Sequence, residues 1–371
     1  MVTPDLDDIS AWQYDLPEDL IAARPTARRD DSRLMVIRRD SGQIEHRQIR
    51  DLPDLLSPND RLVFNNTKVL PARLFGFRTS TNGKWEGLFL DEQNDGQWRI
   101  TGQTRGKLQP DESLTLIPAA LAQSQAIMAT VDEIPQQQRL ELKLVRQLDD
   151  GSWIVRPSRR SRTASTVELL DEFGTLPLPP YIKRKVADEQ DRNRYQTMFA
   201  QEPGAIAAPT AGLHFTPELM DGCSRNGIQS SEVTLHVGIG TFRPVSSERL
   251  SEHRMHSEWC RVHQAAADAI NATKATGNKV VAVGTTSVRT LEAATQQQNL
   301  SAWQGSTDIF ITPGFRFNVV DQLLTNFHLP GSTLIVLVAA LMGYDLTMEA
   351  YRQAVAERYR FYSYGDAMLI L

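Results

Sequence analysis

Three turn signals of one kind lie between residues 71 and 154 and restrict what this stretch can form. They are Asn82-Gly83, Asp95-Gly96 and Asp150-Gly151, each beside short runs rich in aromatic or branched residues. Asn-Gly and Asp-Gly supply the positive φ angles that two-residue hairpin turns need. The run Leu140–Val145 also alternates between apolar and polar side chains, as half-buried strands do. We therefore predict an antiparallel β-barrel domain over residues 71–154.

The remainder of the chain has a different pattern, in which strands alternate with helices. Lys279–Val283 has the composition of a buried strand, Gly284–Ser287 turns the chain into a helix, and Leu334–Met342 predicts a buried helix. Alternating β and α elements indicate an α/β domain with parallel pairing. Because the first 70 residues also contain strand-like runs, we predict a mixed α/β, open barrel-like catalytic domain from residues 1–70 and 155–371, interrupted by the inserted β-barrel domain.

Composition excludes several classes of protein. Two cysteines, Cys223 and Cys260, cannot build a disulfide framework or a cysteine-rich zinc site. The longest apolar run, Leu334–Met342, falls short of the roughly 20 residues that a membrane span requires. The acidic first residues lack the apolar core of a secretory signal. We expect a cytoplasmic protein with no membrane contact.

The net charge of −5 coexists with local clusters of basic residues. Such clusters can neutralise phosphate groups of a nucleic acid, although a solvated surface explains them equally well. The clusters are Arg24, Arg28, Arg29, Arg33, Arg38 and Arg39; Arg156, Arg159, Arg160 and Arg162; and Lys183, Arg184 and Lys185.

Five of the seven histidines lie in polar, loop-like segments, which favours a site that moves protons or positions hydroxyl groups. The pair Gly238 and Gly240 is not a dinucleotide fingerprint, because Pro244 follows where a helix would have to begin. The segment Gly284–Ser287 fits either an anion site at a helix N-terminus or simple helix capping. We predict no metal site, since His253 and His256 have no third ligand nearby in the sequence.

Eight segments closely resemble the S-adenosylmethionine:tRNA ribosyltransferase-isomerase family of the queuosine pathway. Only the β insertion and the pair Trp259-Cys260, where the family usually has tyrosines, match more loosely. The segments are Leu62–Val69, Leu176–Ile182, Ala207–Phe215, Thr234–Val245, Glu252–Glu258, Val283–Glu292, Thr325–Pro330 and Tyr364–Leu369.

The resemblance implies transfer of the ribosyl group of S-adenosylmethionine to 7-aminomethyl-7-deazaguanine (preQ1) at the wobble position of tRNA. Adenine and methionine leave, and the sugar rearranges to give epoxyqueuosine. S-adenosylmethionine is then a consumed co-substrate, and no permanently bound cofactor or metal is needed. We expect the enzyme to act as a monomer.

The same resemblance implies a set of site residues. This chemistry needs a base for a proton next to the sulfonium, donors for the departing adenine, and exclusion of water. Arginines would hold a carboxylate or a phosphate, and phenylalanines would stack on a base. The candidate catalytic residues are His214, His236, His253, His256 and Asp366. The candidate substrate-binding residues are Asn65, Asn66, Thr67, Pro209, Thr210, Gly212, Phe215, Gly240, Thr241, Phe242, Arg243, Thr285, Thr286, Ser287, Arg289, Phe315, Arg316, Asn326, His328 and Tyr364.

Three alternatives remain beside this hypothesis. An S-adenosylmethionine-dependent RNA methyltransferase is disfavoured because the glycine fingerprint is absent. A non-catalytic RNA-binding protein would not need the polar loops of the α/β half. A tRNA-guanine exchange enzyme would need a cysteine-rich zinc site that two cysteines cannot build.

Overall fold

The computed structural model describes residues 4–123, 130–158, 164–182, 184, 187–238, 240, 247–296 and 299–371. The predicted substrate-binding residues Thr241, Phe242 and Arg243 lie outside these described residues. Outside them too are the basic residues Arg159, Arg160, Arg162, Lys183 and Lys185.

The described residues form strands and helices along the whole chain. The strands are β1 (Arg33–Arg38), β2 (Gln43–Gln48), β3 (Arg61–Asn65), β4 (Thr67–Val69), β5 (Arg73–Arg78), β6 (Lys84–Glu92), β7 (Trp98–Thr104), β8 (Ser113–Leu116), β9 (Leu140–Gln147), β10 (Trp153–Pro157), β11 (Gly174–Thr175), β12 (Glu202–Ala205), β13 (Gln229–Leu235), β14 (Glu258–Val262), β15 (Val280–Val283), β16 (Thr295–Gln296), β17 (Asn299–Leu300), β18 (Trp303–Thr307), β19 (Gln322–Asn326) and β20 (Ala367–Ile370). The helices are α1 (Leu52–Leu55), α2 (Ala119–Gln123), α3 (Thr166–Phe173), α4 (Glu189–Arg194), α5 (Pro217–Arg225), α6 (Gln264–Ala275), α7 (Thr285–Ala293), α8 (Thr333–Met342) and α9 (Tyr344–Ala356).

The chain divides into two compact units. The sheet unit comprises Met1–Lys68, Arg194–Glu202 and Ala208–Leu371, and the barrel unit comprises Val69–Asn193 and Pro203–Ala207. The barrel unit extends past the join expected at residue 155, because β11 pairs with β5 and adds a later segment to it.

The sheet unit is built on nine strands in the order β18-β14-β13-β3-β15-β19-β20-β1-β2. Leu34 and Val36 of β1 belong to one apolar cluster, whereas Met35 and Ile37 belong to the other. Such alternation between two cores means that both faces of the sheet are covered. Helices α6, α7, α8 and α9 contribute to one cluster, and α1 and α5 contribute to the other. The predicted mixed α/β fold class is therefore confirmed.

The barrel unit contains six antiparallel strands in the order β5-β6-β7-β10-β9-β8, closed by pairing of β8 with β5. On β9, Leu140, Leu142 and Leu144 are buried while Glu141 and Lys143 are exposed, as the alternation in the sequence predicts. The residues Asn82, Gly96 and Gly151 at the three turn signals have positive φ angles. The predicted antiparallel β-barrel is confirmed, because closure leaves none of the six strands at an edge.

Among the described residues, no single helix has the length and apolar character to span a membrane. Only α8 and α9 taken together pass that test, and the pair is bent by 119°.

Candidate functional site

The carboxyl ends of four parallel strands meet at one edge of the nine-stranded sheet. Strand β3 lies between β13 and β15, both parallel to it, and β19 is parallel to β15. Strand β20 is antiparallel to β19 and begins at this same edge, where Ala367 pairs with Asn326. In open α/β sheets, ligands bind in the crevice outside the carboxyl ends of the strands, at the point where the strand order reverses. This carboxyl edge is therefore where the predicted polar loops converge.

Two asparagines at the end of β3, Asn65 and Asn66, form buried hydrogen bonds with the neighbouring strand β13. The Asn65 amide donates to the carbonyl oxygen of Leu235 at 2.9 Å, and its own oxygen accepts the backbone amides of Leu235 and Thr67. The oxygen of Asn66 accepts a 2.8 Å hydrogen bond from the Thr234 hydroxyl. Both side chains are buried. These bonds give Asn65 and Asn66 a positioning role, in place of the substrate contact expected from the sequence.

The residue best placed for proton transfer at this edge is His236, which follows β13. Its Nδ1 lies 2.8 Å from the hydroxyl oxygen of Thr67. Its ring stacks on Trp259, with the centroids 4.9 Å apart and the planes inclined by 17°. Burial lowers the pKa of His236, so the ring is neutral near pH 7. A neutral imidazole whose orientation is fixed by a hydrogen bond is suited to act as a general base.

A second polar chain joins the 3-10 helix Thr210–His214 to the end of β19. The Thr210 hydroxyl donates to the oxygen of Asn326 at 3.0 Å, and the Asn326 amide lies 3.2 Å from Nε2 of His214. Burial and the charge of Arg360 lower the pKa of His214 to about 4, and a hydrogen bond to the backbone of Arg29 opposes this shift. The Asn326 amide and the backbone of Arg29 thus hold the ring of His214 in place.

Asp366, His328 and Tyr364 are all buried at this edge. The carboxylate of Asp366 accepts the backbone amides of Arg33 at 3.0 Å and Arg360 at 2.8 Å, as a structural carboxylate does. His328 lies 3.1 Å from the Thr325 hydroxyl, and burial lowers its pKa to about 3. The ring of Tyr364 meets that of Tyr195 edge-on at 5.8 Å. These contacts argue against the proton-transfer role expected for Asp366 and the substrate contact expected for His328.

A buried ion pair joins β14 to α7. Arg289, expected to hold an anionic group of the substrate, pairs with Glu258 and also donates from Nε to the carbonyl oxygen of Ile309 at 3.3 Å. The other carboxylate oxygen of Glu258 accepts the amide of Gly238 at 2.8 Å. Removing one partner of a buried pair leaves an uncompensated charge and costs about 3–5 kcal/mol. The Glu258 carboxylate therefore joins Gly238, which follows β13, to Arg289 of α7.

The three hydroxyl groups at the start of α7 differ in their hydrogen bonds, and Gly284 is the N-cap residue of the helix. Gly284 has a φ of 87°, and the Ser287 hydroxyl donates to the carbonyl oxygen of Val283 at 2.9 Å. Thr285 is buried, and the hydroxyl oxygen of Thr286 has no hydrogen-bond partner within the described residues. An unsatisfied buried hydroxyl is costly, so Thr286 is the member of the three that a ligand would satisfy.

His253 and His256 lie on the segment that leads into β14. The ring of His253 meets Phe310 edge-on at 5.5 Å, and His256 is exposed. A Cβ atom on Gly240 would lie 2.2 Å from the His256 ring. Gly240 therefore allows close approach of the His256 imidazole.

The predicted stacking residues differ in what they contact. Phe215 is fully buried and packs edge-on against Phe64 at 4.8 Å, so it belongs to the core and is not a stacking surface. Phe315 is half-buried beside Phe317 at 5.1 Å, and Arg316 is exposed. Pro209 and Gly212 shape the 3-10 helix, with the Gly212 amide donating to the Pro209 carbonyl oxygen at 2.9 Å.

The contacts of Glu258 with Gly238 and of Trp259 with His236 were not expected from the sequence, although Glu258 ends one of the eight family segments and Trp259 departs from the family's usual tyrosine. An open cleft of about 250 Å³ beside His214, a volume that includes the solvent at its mouth, carries no signal in the sequence. No three histidine, cysteine or carboxylate side chains of the described residues are grouped as a metal ion would require.

Comparison with known proteins identifies relatives over nearly the whole length. The family described as "Queuosine biosynthesis protein" matches residues 9–370. The S-adenosylmethionine:tRNA ribosyltransferase-isomerase of Symbiobacterium thermophilum is 47% identical over 98% of this chain and 99% of its own. The protein of the same name from Staphylococcus saprophyticus is 44% identical over 98% of this chain and all of its own. A crystal structure of S-adenosylmethionine tRNA ribosyltransferase from Thermotoga maritima has 35% identity and a TM-score of 0.53, over 97% of this chain and all of that one. The resemblance inferred from the motifs is thereby confirmed, and the chain belongs to the queuosine biosynthesis protein family.

Proposed function

We propose that this chain is an S-adenosylmethionine:tRNA ribosyltransferase-isomerase. It transfers the ribosyl group of S-adenosylmethionine to the aminomethyl group of 7-aminomethyl-7-deazaguanine in tRNA and isomerises the sugar to the epoxycyclopentane of epoxyqueuosine. Adenine and methionine are released. The observation that carries the proposal is the assembly of Thr67, His236 and Trp259 at the carboxyl edge of the sheet, in a chain whose relatives bear that enzyme name.

His236 is the general base of this proposal. The first chemical requirement is removal of a proton that the neighbouring sulfonium makes acidic, and a neutral imidazole accepts it. The Thr67 hydroxyl fixes the ring, and the Trp259 indole covers one face and excludes water from it. His256 is the next candidate, since its ring lies against Gly240, and His253 on the same segment follows it.

Substrate groups are assigned to the side chains that the fold leaves available. The Thr286 hydroxyl at the N-terminus of α7 would accept or donate a hydrogen bond to S-adenosylmethionine. The exposed Arg316 would hold the methionine carboxylate, and Phe315 would stack on a base. We further propose that the enzyme is a cytoplasmic monomer, consumes S-adenosylmethionine as a substrate and uses no resident cofactor or metal.

The test is mass spectrometry of nucleosides after incubation of the protein with S-adenosylmethionine and tRNA that carries 7-aminomethyl-7-deazaguanine. Epoxyqueuosine together with free adenine is the expected result. A methylated nucleoside would instead make the protein a methyltransferase. Tight tRNA binding without any product would make it a binding protein.

The variant His236→Asn tests the assignment of the base. We expect kcat to fall about 100- to 10,000-fold while the Kd for tRNA stays unchanged, because only proton transfer is lost. The matched control is His263→Asn, which alters an exposed histidine that follows β14. Equal kcat values for His236→Asn and the control would move the base to another residue.

A further inference from the structure

An open cleft in the sheet unit has no part in the chemistry proposed above. It encloses about 250 Å³, and its polar lining residues include Thr26, Arg29, Ser32, Arg194, Ser363 and Tyr364. All of them belong to the sheet unit, and His214 forms part of the same wall. The cleft therefore adjoins the chain of hydrogen bonds that ends on Asn326.

Backbone carbonyl groups hold both guanidinium groups of the cleft in place. Arg29 donates to the carbonyl oxygens of Leu213 at 3.1 Å and Gln196 at 3.0 Å. Arg194 donates to those of Ala27 at 3.0 Å and Thr26 at 2.7 Å. These four bonds to backbone oxygens fix the orientation of the two guanidinium groups.

The arginines in and beside the cleft act on one another and on His214. Burial and the charge of Arg194 lower the pKa of Arg29, which nevertheless remains protonated at any physiological pH. The charges of Arg360 and Arg29 also help to lower the pKa of His214 in the same wall. In addition, Nε of Arg194 is buried and has no acceptor within the described residues. A bound anion would relieve the repulsion between the two arginines.

We propose that this cleft binds one phosphodiester group of the RNA substrate. The inference rests on the proposed function and adds a place where the RNA backbone is held. Arginine guanidinium groups and the hydroxyl groups of serine, threonine and tyrosine are the usual protein partners of RNA and DNA phosphates. Because His214 belongs both to the cleft and to the carboxyl edge, a phosphate held here sets the register of the RNA relative to that edge.

The test compares tRNA binding by the wild type, Arg29→Gln and Arg29→Lys over a series of salt concentrations, with 7-aminomethyl-7-deazaguanine tRNA as the probe. We expect Arg29→Gln to raise Kd about tenfold at moderate salt and to reduce the slope of log Kd against log salt by about 1. Arg29→Lys should keep most of the slope because it keeps the charge. The matched control is Arg38→Gln, which removes the same charge from an arginine on β1 that pairs with Glu45, and its slope should equal the wild-type slope.

A second variant guards against loss of folding in Arg29→Gln. Thr26→Glu adds a carboxylate at the cleft and leaves the backbone acceptors of both arginines in place, so it should weaken tRNA binding at least as strongly. Unchanged tRNA affinity in both variants would refute the proposal. A raised KM for S-adenosylmethionine with unchanged tRNA affinity would also refute it, and would assign the cleft to the carboxylate. Turnover by the wild type is measured in parallel, because tRNA binding without product would contradict the proposed function while leaving the comparison of slopes valid.

Discussion

Histidine side chains at the carboxyl edge are neutral near pH 7, and this follows from where the fold buries them. Burial lowers the pKa of His214 to about 4 and of His328 to about 3, and it lowers the pKa of His236 as well. The three residues differ in their hydrogen bonds. Nε2 of His214 lies beside the Asn326 amide and Nε2 of His328 lies beside the Thr325 hydroxyl, whereas Nδ1 of His236 lies beside the Thr67 hydroxyl.

The buried histidines make the stability of the protein depend on pH in a defined window. Their pKa values are depressed on folding from 6.5, so the unfolded chain binds more protons below about pH 6.5. The free energy of unfolding should therefore fall as pH falls from about 6.5 to about 4, by about 1.4 kcal/mol per pH unit for each histidine. We expect His214→Asn and His328→Asn each to reduce this slope.

Urea unfolding followed by circular dichroism at several pH values measures the slope directly. His263→Asn is the control, because that histidine is exposed. The slope of the free energy of unfolding against pH is compared between variants, because a loss of packing energy caused by the substitution shifts the free energy equally at every pH. Identical slopes in wild type and both variants would show that these two histidines do not link protonation to folding.

At this scale the sequence located the site better than it assigned the roles. The motif residues Asn65, Thr67, His236 and Asn326 do meet at one edge of the sheet. Roles depend on partners that are far away in the chain: Asn65 bonds Leu235, and Asp366 bonds the amide of Arg33. Neither spacing nor residue type reveals such a partner, so the sequence alone could not predict these hydrogen bonds.

Helix α7 brings several polar groups to the carboxyl edge, among them Thr285, Thr286 and Arg289. It begins directly after β15, and Gly284 makes the turn with φ 87° and ψ 152°, a region that only glycine adopts readily. The same turn places Thr285 and Thr286 at the start of the helix and aligns Arg289, one turn later, with Glu258. The backbone conformation of Gly284 thus sets the positions of Thr285, Thr286 and Arg289.

We predict that Gly284→Ala destabilises the sheet unit by about 1–3 kcal/mol through backbone strain. A Cβ atom would have space, since its nearest neighbour outside the turn is Ala211 at 3.6 Å. Strain would also displace the first turn of α7, so the KM for S-adenosylmethionine should rise. Thermal unfolding and steady-state kinetics measure both effects.

The control for this change is Gly42→Ala, in the turn between β1 and β2. Its φ is 69° and a Cβ atom there would meet nothing within 4 Å. It should cost stability without changing KM. Wild-type stability in the Gly284→Ala variant would contradict the strain account, and a raised KM in the control would contradict the link to the site.

In the barrel, the features that the sequence predicts are those that depend on residues close together in the chain. Turn signals and the alternation on β9 predicted its hairpins, because both depend on neighbours in the sequence. The pairing of β5 with β8, which closes the barrel, and of β5 with β11, which extends it, joins distant segments. Those pairings carry no local signal, so the extent of the barrel unit was not predictable.

The chain has a net charge of −5, and two arginines nevertheless line one cleft of the sheet unit. The structure shows that arginines close together in the sequence have different contacts. Arg28 pairs with Asp30 and Arg38 with Glu45, while Arg39 donates to backbone carbonyl oxygens including that of Leu371. Arg29 lines the cleft. A cluster in the sequence therefore divides into structural contacts and one anion-binding candidate. Strand order, which brings these segments together, was beyond sequence reasoning because it depends on pairing between residues 1–68 and residues after 228.

The central claim is that the ribosyl group of S-adenosylmethionine, and not its methyl group, reaches the tRNA. The most direct measurement uses S-adenosylmethionine labelled with ¹³C in the ribose in one reaction and in the methyl group in another, followed by mass spectrometry of the modified nucleoside. We predict that the nucleoside gains the mass of the whole labelled ribose in the first reaction and no label in the second. Label arriving only from the methyl group, or a nucleoside unchanged in both reactions, would contradict the account.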